Sequence, residues 1–174
     1  ASFMDEARLE TLGVSPLKGE LAQIAALKDK SELPALLARL GKIGVGVPFD
    51  FGIHQDNKDS TKYVADIGQG GLGMPDRDYY LKLDDKRMLE ARTKYEAHVA
   101  QILTLSGAKN AAEQAKAIVA FETELANVQW TKVENRDPVK RYNKMSVAEL
   151  AALTPGYDWN AALAAAGVGN KLDY

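Results

Sequence analysis

Residues 45–53 read VGVPFDFGI and carry an apolar side chain at every second position. Side chains alternate between the two faces of a strand, so this period of two predicts a β-strand. The polar cluster DNKDS at residues 56–60 then predicts a turn, and Tyr63, Ala65 and Ile67 alternate again beyond it. We therefore predict one β-hairpin over about residues 45–69. The alternating residues of its first arm are Val45, Val47, Phe49, Phe51 and Ile53.

The rest of the chain repeats its apolar residues every three and four positions, which is the period of amphipathic helices. The two longest predicted helices run from about Asp84 to Ser106 and from Asn110 onward. The loop between them is short, which favours an antiparallel pair. Shorter helices are predicted to begin near Ser15, Ser31, Ser146 and Asp158. The sequence thus predicts a mainly α fold of antiparallel helices with one hairpin, as a single unit over residues 1–174.

Several helix ends carry specific signals. Ser146 and Glu149 have the spacing of a capping box, and Glu113 stands at the same spacing from the predicted start at Asn110. The helix that begins near Ser31 is predicted to stop at Gly41. The helix that begins near Ser15 carries a stripe that we expect to face the core: Leu17, Leu21, Ile24 and Leu27.

Composition excludes several functional classes. With 46% apolar and 26% charged residues in 174, the chain is typical of a soluble globular protein. A net charge of −2 gives no general attraction to nucleic acid or a membrane surface, so we expect neither partner. The absence of Cys excludes disulfides, thiolate zinc sites and cysteine nucleophiles. No apolar stretch reaches the roughly 20 residues of a membrane-spanning helix. Because residue 1 is Ala and not Met, we expect a processed, trimmed or cloned piece.

Zinc sites built from protein side chains need three converging ligands, most simply two His one helical turn apart. The only histidines are His54, on the predicted hairpin, and His98, inside a predicted helix. A lone helical His is more often a partly buried packing residue than a ligand. We therefore predict no metal ligand and no bound zinc in this chain.

Pairs of carboxylates also give no good candidate for an acid–base site. Asp76 with Asp78, and Glu122 with Glu124, are two residues apart, so their side chains point to different sides of a helix. Asp76 is predicted to cap the turn after Pro75, and the two glutamates to lie on the solvated side of their helix. The glycines of residues 68–73 lack the Lys-Ser/Thr ending of a phosphate loop. The charged stretch over residues 132–144 mixes both signs, which is typical of a solvated loop.

Two segments resemble the neprilysin-like family of zinc endopeptidases, which includes neprilysin, the endothelin-converting enzymes and bacterial homologues. Residues 72–81, LGMPDRDYYL, are similar to the family motif LGLPxRDYYL, with Met74 in place of Leu and Asp76 at the variable position. Residues 134–150, ENRDPVKRYNKMSVAEL, are similar to its R-x-D-P and YNKM[ST] segment. The resemblance extends from about Met4 to about Gly167 and falls in the amino-terminal half of the peptidase module.

The resemblance implies a role in a larger enzyme. In the family this half builds most of a helical domain that faces the catalytic domain across an enclosed cavity and restricts entry to small peptides. The family's H-E-x-x-H helix, its downstream E-x-x-x-D and its N-A-[YF] motif have no counterpart in this sequence. We therefore assign no catalytic residue and no substrate-binding residue here, and expect zinc only in the parent enzyme. The implied partner is the catalytic half of the same peptidase, and the implied location is extracytoplasmic.

Two alternatives remain open at this level. The chain could be a stand-alone helical binding module, or a small carboxylate hydrolase that rests only on unpaired acids. If it is a piece of a larger enzyme, apolar residues that face the other half should be exposed. The candidates for such a patch are Val47, Phe49 and Phe51.

Overall fold

The structure is a computed structural model that describes residues 4–168. Within these residues it is mainly α, with nine α-helices and one two-stranded antiparallel sheet, as predicted. Short 3-10 turns span Ser15–Leu17, Lys30–Glu32 and Glu134–Arg136. The helices are α1 Glu6–Leu12, α2 Lys18–Ala25, α3 Leu33–Lys42, α4 Asp78–Leu81, α5 Lys86–Leu105, α6 Ala111–Val128, α7 Pro138–Arg141, α8 Val147–Leu153 and α9 Trp159–Ala166.

The predicted hairpin is present but begins later than the alternation suggested. Strand β1, Phe49–Gln55, pairs antiparallel with β2, Tyr63–Gln69. Pro48 immediately precedes β1 and has no N–H to donate to a ladder. Its carbonyl accepts a hydrogen bond from Gly70 N at 2.9 Å, which closes the base of the hairpin. The first two apolar residues of the alternation therefore lie outside the strand.

Val45 belongs instead to the end of α3. Its N–H donates to Leu40 O at 3.1 Å, and Gly44 N donates to Gly41 O at 3.0 Å. Gly44 has φ 84°, so these bonds form the Schellman motif that commonly ends helices. The helix passes through Gly41, where we predicted its end, because the left-handed residue that terminates it is Gly44.

The long helices α5 and α6 form the predicted antiparallel pair. Tyr95, ten residues before the end of α5, contacts Glu122, eleven residues after the start of α6. Asp85 caps α5 through Arg87 N and Met88 N. Asn110 precedes α6 as predicted, but its side chain makes no capping bond, so the expected partnership with Glu113 does not form.

The predicted signals of the last two helices are confirmed. Ser146 and Glu149 form a complete capping box at the start of α8. Asp158 caps α9 by accepting from Ala161 N, and Gly167 ends that helix in the left-handed conformation. Local side-chain chemistry alone fixes these boundaries.

Buried side chains concentrate in two places. Met74, Tyr80 and Ala126 form a cluster between the segment before α4 and helix α6. The base of the hairpin packs on α9, where Phe49 lies 5.2 Å from both Tyr157 and Trp159, measured between ring centroids. The first cluster supports the site described below, and the second anchors the hairpin.

The amino-terminal stripe does not form a core face. Leu17, Leu21 and Ile24 are 55%, 45% and 47% exposed. Ser15 does not cap a helix either, because it is itself the first residue of a 3-10 turn whose cap position, Val14, makes no side-chain hydrogen bond. The described residues leave α2 with little to pack against, and an ion pair of 3.0 Å between Glu20 and Arg39 ties it to α3.

Candidate functional site

A groove of about 570 Å³ lies where three segments meet. These are the exit of the hairpin, the turn of the first motif at residues 72–77, and the chain that follows α6. Its charged lining residues are Asp50, Asp76, Arg77, Lys132 and Arg136. Both signs of charge line the groove, and two of these charges, Asp76 and Lys132, are paired with each other at 2.6 Å.

A buried carboxylate holds the first motif onto α6. Glu122 is 8% exposed, and its two oxygens accept from Tyr80 Oη at 2.9 Å and from Tyr95 Oη at 3.0 Å. It also accepts from Gly73 N at 3.2 Å, and Tyr80 Oη accepts from Met74 N at 3.0 Å. One carboxylate thus fixes the backbone at the start of the groove wall.

The two tyrosines serve as hydrogen-bond donors. Burial raises the pKa of Tyr95 to about 12, and the neighbouring Glu122 carboxylate adds to the rise. Burial is also the main cause that raises the pKa of Tyr80 well above its ordinary range. Both hydroxyls therefore stay protonated at neutral pH and keep their bonds to the carboxylate.

Our prediction that Glu122 faces solvent is wrong, whereas Glu124 is exposed as predicted. The other buried residues of α6 are Ala111, Ala115, Val119 and Ala126. Glu122 continues their spacing of three and four, so it lies on the buried stripe. This spacing is the sequence signal that places Glu122 on the buried stripe. Its carboxylate can be buried there only because three hydrogen-bond donors from other parts of the chain bind it.

The acidic residues of the first motif have separate structural roles. Asp76 accepts from Asp78 N at 2.8 Å, so it caps the turn after Pro75 as predicted. It also pairs with Lys132 at 2.6 Å, while Asp78 pairs with Lys82 at 2.8 Å. Each carboxylate is engaged with its own cation, and the two do not share a proton site.

The chain after α6 is fastened to the opposite wall. Gln69 exchanges two hydrogen bonds with the Trp130 backbone, at 3.1 and 2.8 Å. The side-chain amide of Gln129 donates to Gly70 O at 2.7 Å, and the backbone carbonyl of Gln129 accepts from Arg77 at 2.8 Å. These bonds join residues some 50 to 60 positions apart and give the groove fixed sides.

Side chains of the second motif bind the turn at the tip of the hairpin. Asp56, 3% exposed, accepts from Lys144 Nζ at 2.6 Å and from Tyr142 Oη at 2.9 Å. Lys58 lies over the Tyr142 ring, 4.1 Å from its centroid. The Lys144 ammonium, helped by Lys58 N and Tyr142, lowers the pKa of Asp56 far below its usual value. The Tyr and Lys of YNKM thus hold the turn between β1 and β2.

The start of the second motif is held by local bonds. Glu134 accepts from Lys140 Nζ at 2.7 Å and from Thr131 N at 2.9 Å. Lys140, followed by the Thr131 bonds, lowers the pKa of Glu134 to about 2. Asp137 caps α7 through Val139 N and Lys140 N. The stretch is largely exposed, as predicted, but it contains a 3-10 turn and α7 and is not a plain loop.

The first motif therefore forms a wall of the groove, and the second holds the tip of the hairpin through Asp56. The family model for the amino-terminal part of Peptidase family M13 matches residues 1–173. The chain belongs to peptidase family M13.

Relatives of this M13 chain confirm the neprilysin-like resemblance. An endothelin-converting enzyme homolog of Locusta migratoria is 32% identical over 88% of this chain. Endothelin-converting enzyme 1 of Bos taurus is 30% identical over 90% of it. The inhibitor complex of the zinc metalloprotease Zmp1 of Mycobacterium tuberculosis aligns over 95% of this chain with a TM-score of 0.88 and 37% identity. The chain spans 22% of the two enzymes' length and 25% of the Zmp1 chain.

The zinc of the M13 family does not fit the residues described here. Over residues 4–168, no three His, Asp or Glu side chains converge as a metal site requires. His54 lies on β1 and His98 on α5, and both are exposed, so His98 is not the partly buried packing residue we expected. That the chain binds no zinc stays a prediction. None of the helices within residues 4–168 combines the length and the hydropathy of a membrane span.

Asp56 and its two donors, Tyr142 and Lys144, are called the Asp56 clamp below. This clamp gives a pH-dependent prediction for the M13 chain. Because the folded pKa of Asp56 lies below the ordinary 3.8, its charge stabilises the fold at neutral pH. That stabilisation is lost as the pH falls through the folded pKa. We expect Asp56→Asn to lower Tm most near neutral pH and progressively less below about pH 4. Thermal melts of both proteins across this range measure the difference.

Asp84→Asn is the matched control for the clamp, since Asp84 is an exposed aspartate in a loop. Its Tm should follow the unsubstituted protein at every pH. A Tm difference for Asp56→Asn that stays constant from neutral pH to about pH 3 would contradict the clamp.

Proposed function

We propose that this chain forms a non-catalytic, helical part of a larger M13 zinc endopeptidase that hydrolyses small peptides. It contributes wall to the substrate cavity and restricts the size of what enters. The observation that carries the proposal is the structural match to Zmp1, which covers 95% of this chain but 25% of that one. The catalytic chemistry, including zinc, is assigned to the remaining part of the parent and to no residue of this chain.

The size and rigidity of the groove support the proposal that this chain forms part of the wall of the substrate cavity. Its volume of about 570 Å³ lies within the usual range of ligand sites, about 300–1,000 Å³. The bonds of Glu122, Gln69 and Gln129 hold its sides in place, so it is already formed without a ligand. A preformed groove with both charges suits a short peptide, which carries an ammonium and a carboxylate.

The proposal extends to location and partners. The parent would lie outside the cytoplasm, as a secreted, periplasmic or membrane-anchored enzyme. Its partners would be small peptides and the catalytic half of the same polypeptide. The near-neutral charge of −2 gives this segment no general pull toward nucleic acid or an anionic membrane.

Complementation tests the proposal directly. The 174-residue chain and the separately produced remainder of the parent would be assayed with a fluorogenic peptide, alone and mixed, with and without a zinc chelator. We expect cleavage only in the mixture, and its loss with chelator. Chelator-insensitive cleavage by the chain alone would overturn the proposal, and failure of the mixture to cleave would favour a stand-alone binding module.

A variant of the groove sharpens this experiment. Arg136 lines the groove and is exposed, so Arg136→Glu should weaken binding of peptides with a free carboxylate. We expect KM in the mixture to rise by up to about fivefold with kcat unchanged. Lys116→Glu, an exposed charge reversal on α6 that does not line the groove, is the control and should leave KM unchanged.

A further inference from the structure

The hairpin carries an apolar face that is covered at one end and open at the other. The ladder places Phe51 opposite Ile67, Ile53 opposite Ala65 and Gln55 opposite Tyr63. Residues directly opposite in an antiparallel pair have their Cβ atoms about 5 Å apart on the same face. These side chains are therefore neighbours and form one continuous surface, which we call the distal hairpin face: Phe51, Ile53, Tyr63, Ala65 and Ile67.

Exposure increases along this surface away from the helices. Phe49, at the base, packs on Tyr157 and Trp159 of the α9 region and is 37% exposed. Beyond it Phe51 is 40% exposed, Ile53 54% and Tyr63 66%. Single exposed apolar residues are ordinary on protein surfaces, but a continuous row of large ones is not. Val47, the first residue we predicted for an exposed patch, is 7% exposed and packs inside, so the open surface lies further along the strand.

Phe51 and Ile67 still border a pocket against α3 and α9, but the hairpin beyond them has little apolar support within the described residues. A two-stranded sheet is marginally stable in water unless its apolar face packs on something else. α9 covers the base, and the Asp56 clamp holds the tip by polar contacts that leave the apolar face uncovered. The opposite face is mostly polar or small, with Val64 as its one large apolar residue; its other members are Asp50, Gly52, His54, Asp66 and Gly68. The end of the distal hairpin face around Ile53 and Tyr63 is therefore left without apolar cover by the described residues.

We propose that the distal hairpin face docks against an apolar surface of the remaining, larger part of the same parent M13 polypeptide; this rests on the function proposed above. The relatives supply the argument for this occupant. In Zmp1 the equivalent of this chain makes up 25% of one polypeptide, and in the two converting enzymes 22%. Most of each related molecule is thus polypeptide in the same chain that is present at high effective concentration to cover such a face.

Cysteine labelling tests the docking, because this chain contains no Cys of its own. Ile53→Cys places a thiol on the distal hairpin face, and the neighbouring His54→Cys places one on the opposite face as the control. Maleimide labelling of each would be followed by peptide mass spectrometry in the 174-residue chain and in the full-length parent. We expect Ile53→Cys to label at least about tenfold more slowly in the parent than in the chain, and His54→Cys equally in both.

Each other outcome contradicts the docking. Equal labelling rates for Ile53→Cys in the chain and in the parent would show that the face stays open. Equal protection of both cysteines would show that the hairpin is enclosed without preference for its apolar face. Labelling of the isolated chain that slows with its concentration would identify a second copy as the occupant. A parent that labels as expected but cleaves no peptide would overturn the proposed function and leave the docking standing.

Discussion

Replacement of Glu122 by Ala should lower the free energy of unfolding by about 3 kcal/mol or more. The substitution leaves the hydroxyls of Tyr80 and Tyr95 and the N–H of Gly73 without their acceptor. Each buried donor that loses its partner costs about 1–3 kcal/mol, and water entering the space recovers part of this. For a chain of this size Tm should fall by roughly 10 °C, measured by thermal and urea unfolding.

Glu124 provides the control on the same helix. It lies two residues further along α6 and is exposed, so Glu124→Ala should change stability by less than about 0.5 kcal/mol. The loss of stability in Glu122→Gln should lie between those of Glu122→Ala and Glu124→Ala. The amide keeps one acceptor oxygen, but its nitrogen is a donor that faces Tyr80 or Tyr95. Equal effects at the two glutamates would contradict the buried network.

The consequences of losing Glu122 should extend to the groove. Its bond to Gly73 N and, through Tyr80, its hold on Met74 N fix the backbone of the first motif against α6. The turn that presents Asp76 and Arg77 follows directly. In the complementation assay a Glu122→Ala chain should therefore raise KM at temperatures where it is still folded. A change in stability without any change in KM would separate the network from the groove.

The sequence predicted the elements of this fold better than their ends. Alternation and helical periodicity are local properties, so the hairpin and the α5–α6 pair follow from them directly. The capping box at Ser146 and the cap at Asp158 are local as well. The prediction misplaces Val45 because this apolar residue fits both the end of a Schellman motif and the period of two that predicts a strand. The deciding interaction is a backbone bond to Leu40, which apolar periodicity does not reveal.

The site was far less predictable, because it is made of contacts between distant parts of the chain. The sequence predicts only a turn at Asp56, yet its side chain accepts hydrogen bonds from Tyr142 and Lys144, 86 and 88 positions away. The resemblance to the neprilysin-like family located both motifs but did not explain what their individual residues do. The structure supplies that reason: Asp76 and Lys132 join the walls of the groove, while Tyr142 and Lys144 hold the hairpin tip.

Gly73→Ala is expected to destabilise the fold by about 2–3 kcal/mol, because the new methyl group has no room. A Cβ at this position would overlap the Tyr95 hydroxyl and lie 2.6 Å from Tyr95 Cζ and 3.1 Å from Glu122 Oε1. Gly68→Ala is the control, since its Cβ would have its nearest neighbour, Asp50 Cβ, at an ordinary 3.8 Å. Restriction of the unfolded chain should make that control neutral or slightly stabilising. Urea unfolding of both variants measures the difference.

A double-mutant cycle with Tyr95→Phe identifies the cause of the Gly73→Ala effect. Tyr95→Phe alone loses the hydrogen bond to Glu122 and should cost about 1 kcal/mol. It also removes the atom that the new methyl group overlaps, so Gly73→Ala should cost less in that background than in the unsubstituted protein. The ring carbon at 2.6 Å remains, and the recovery should therefore be partial. Strictly additive costs would mean that the methyl group is accommodated by movement of the backbone at Gly73 and not opposed by the Tyr95 side chain.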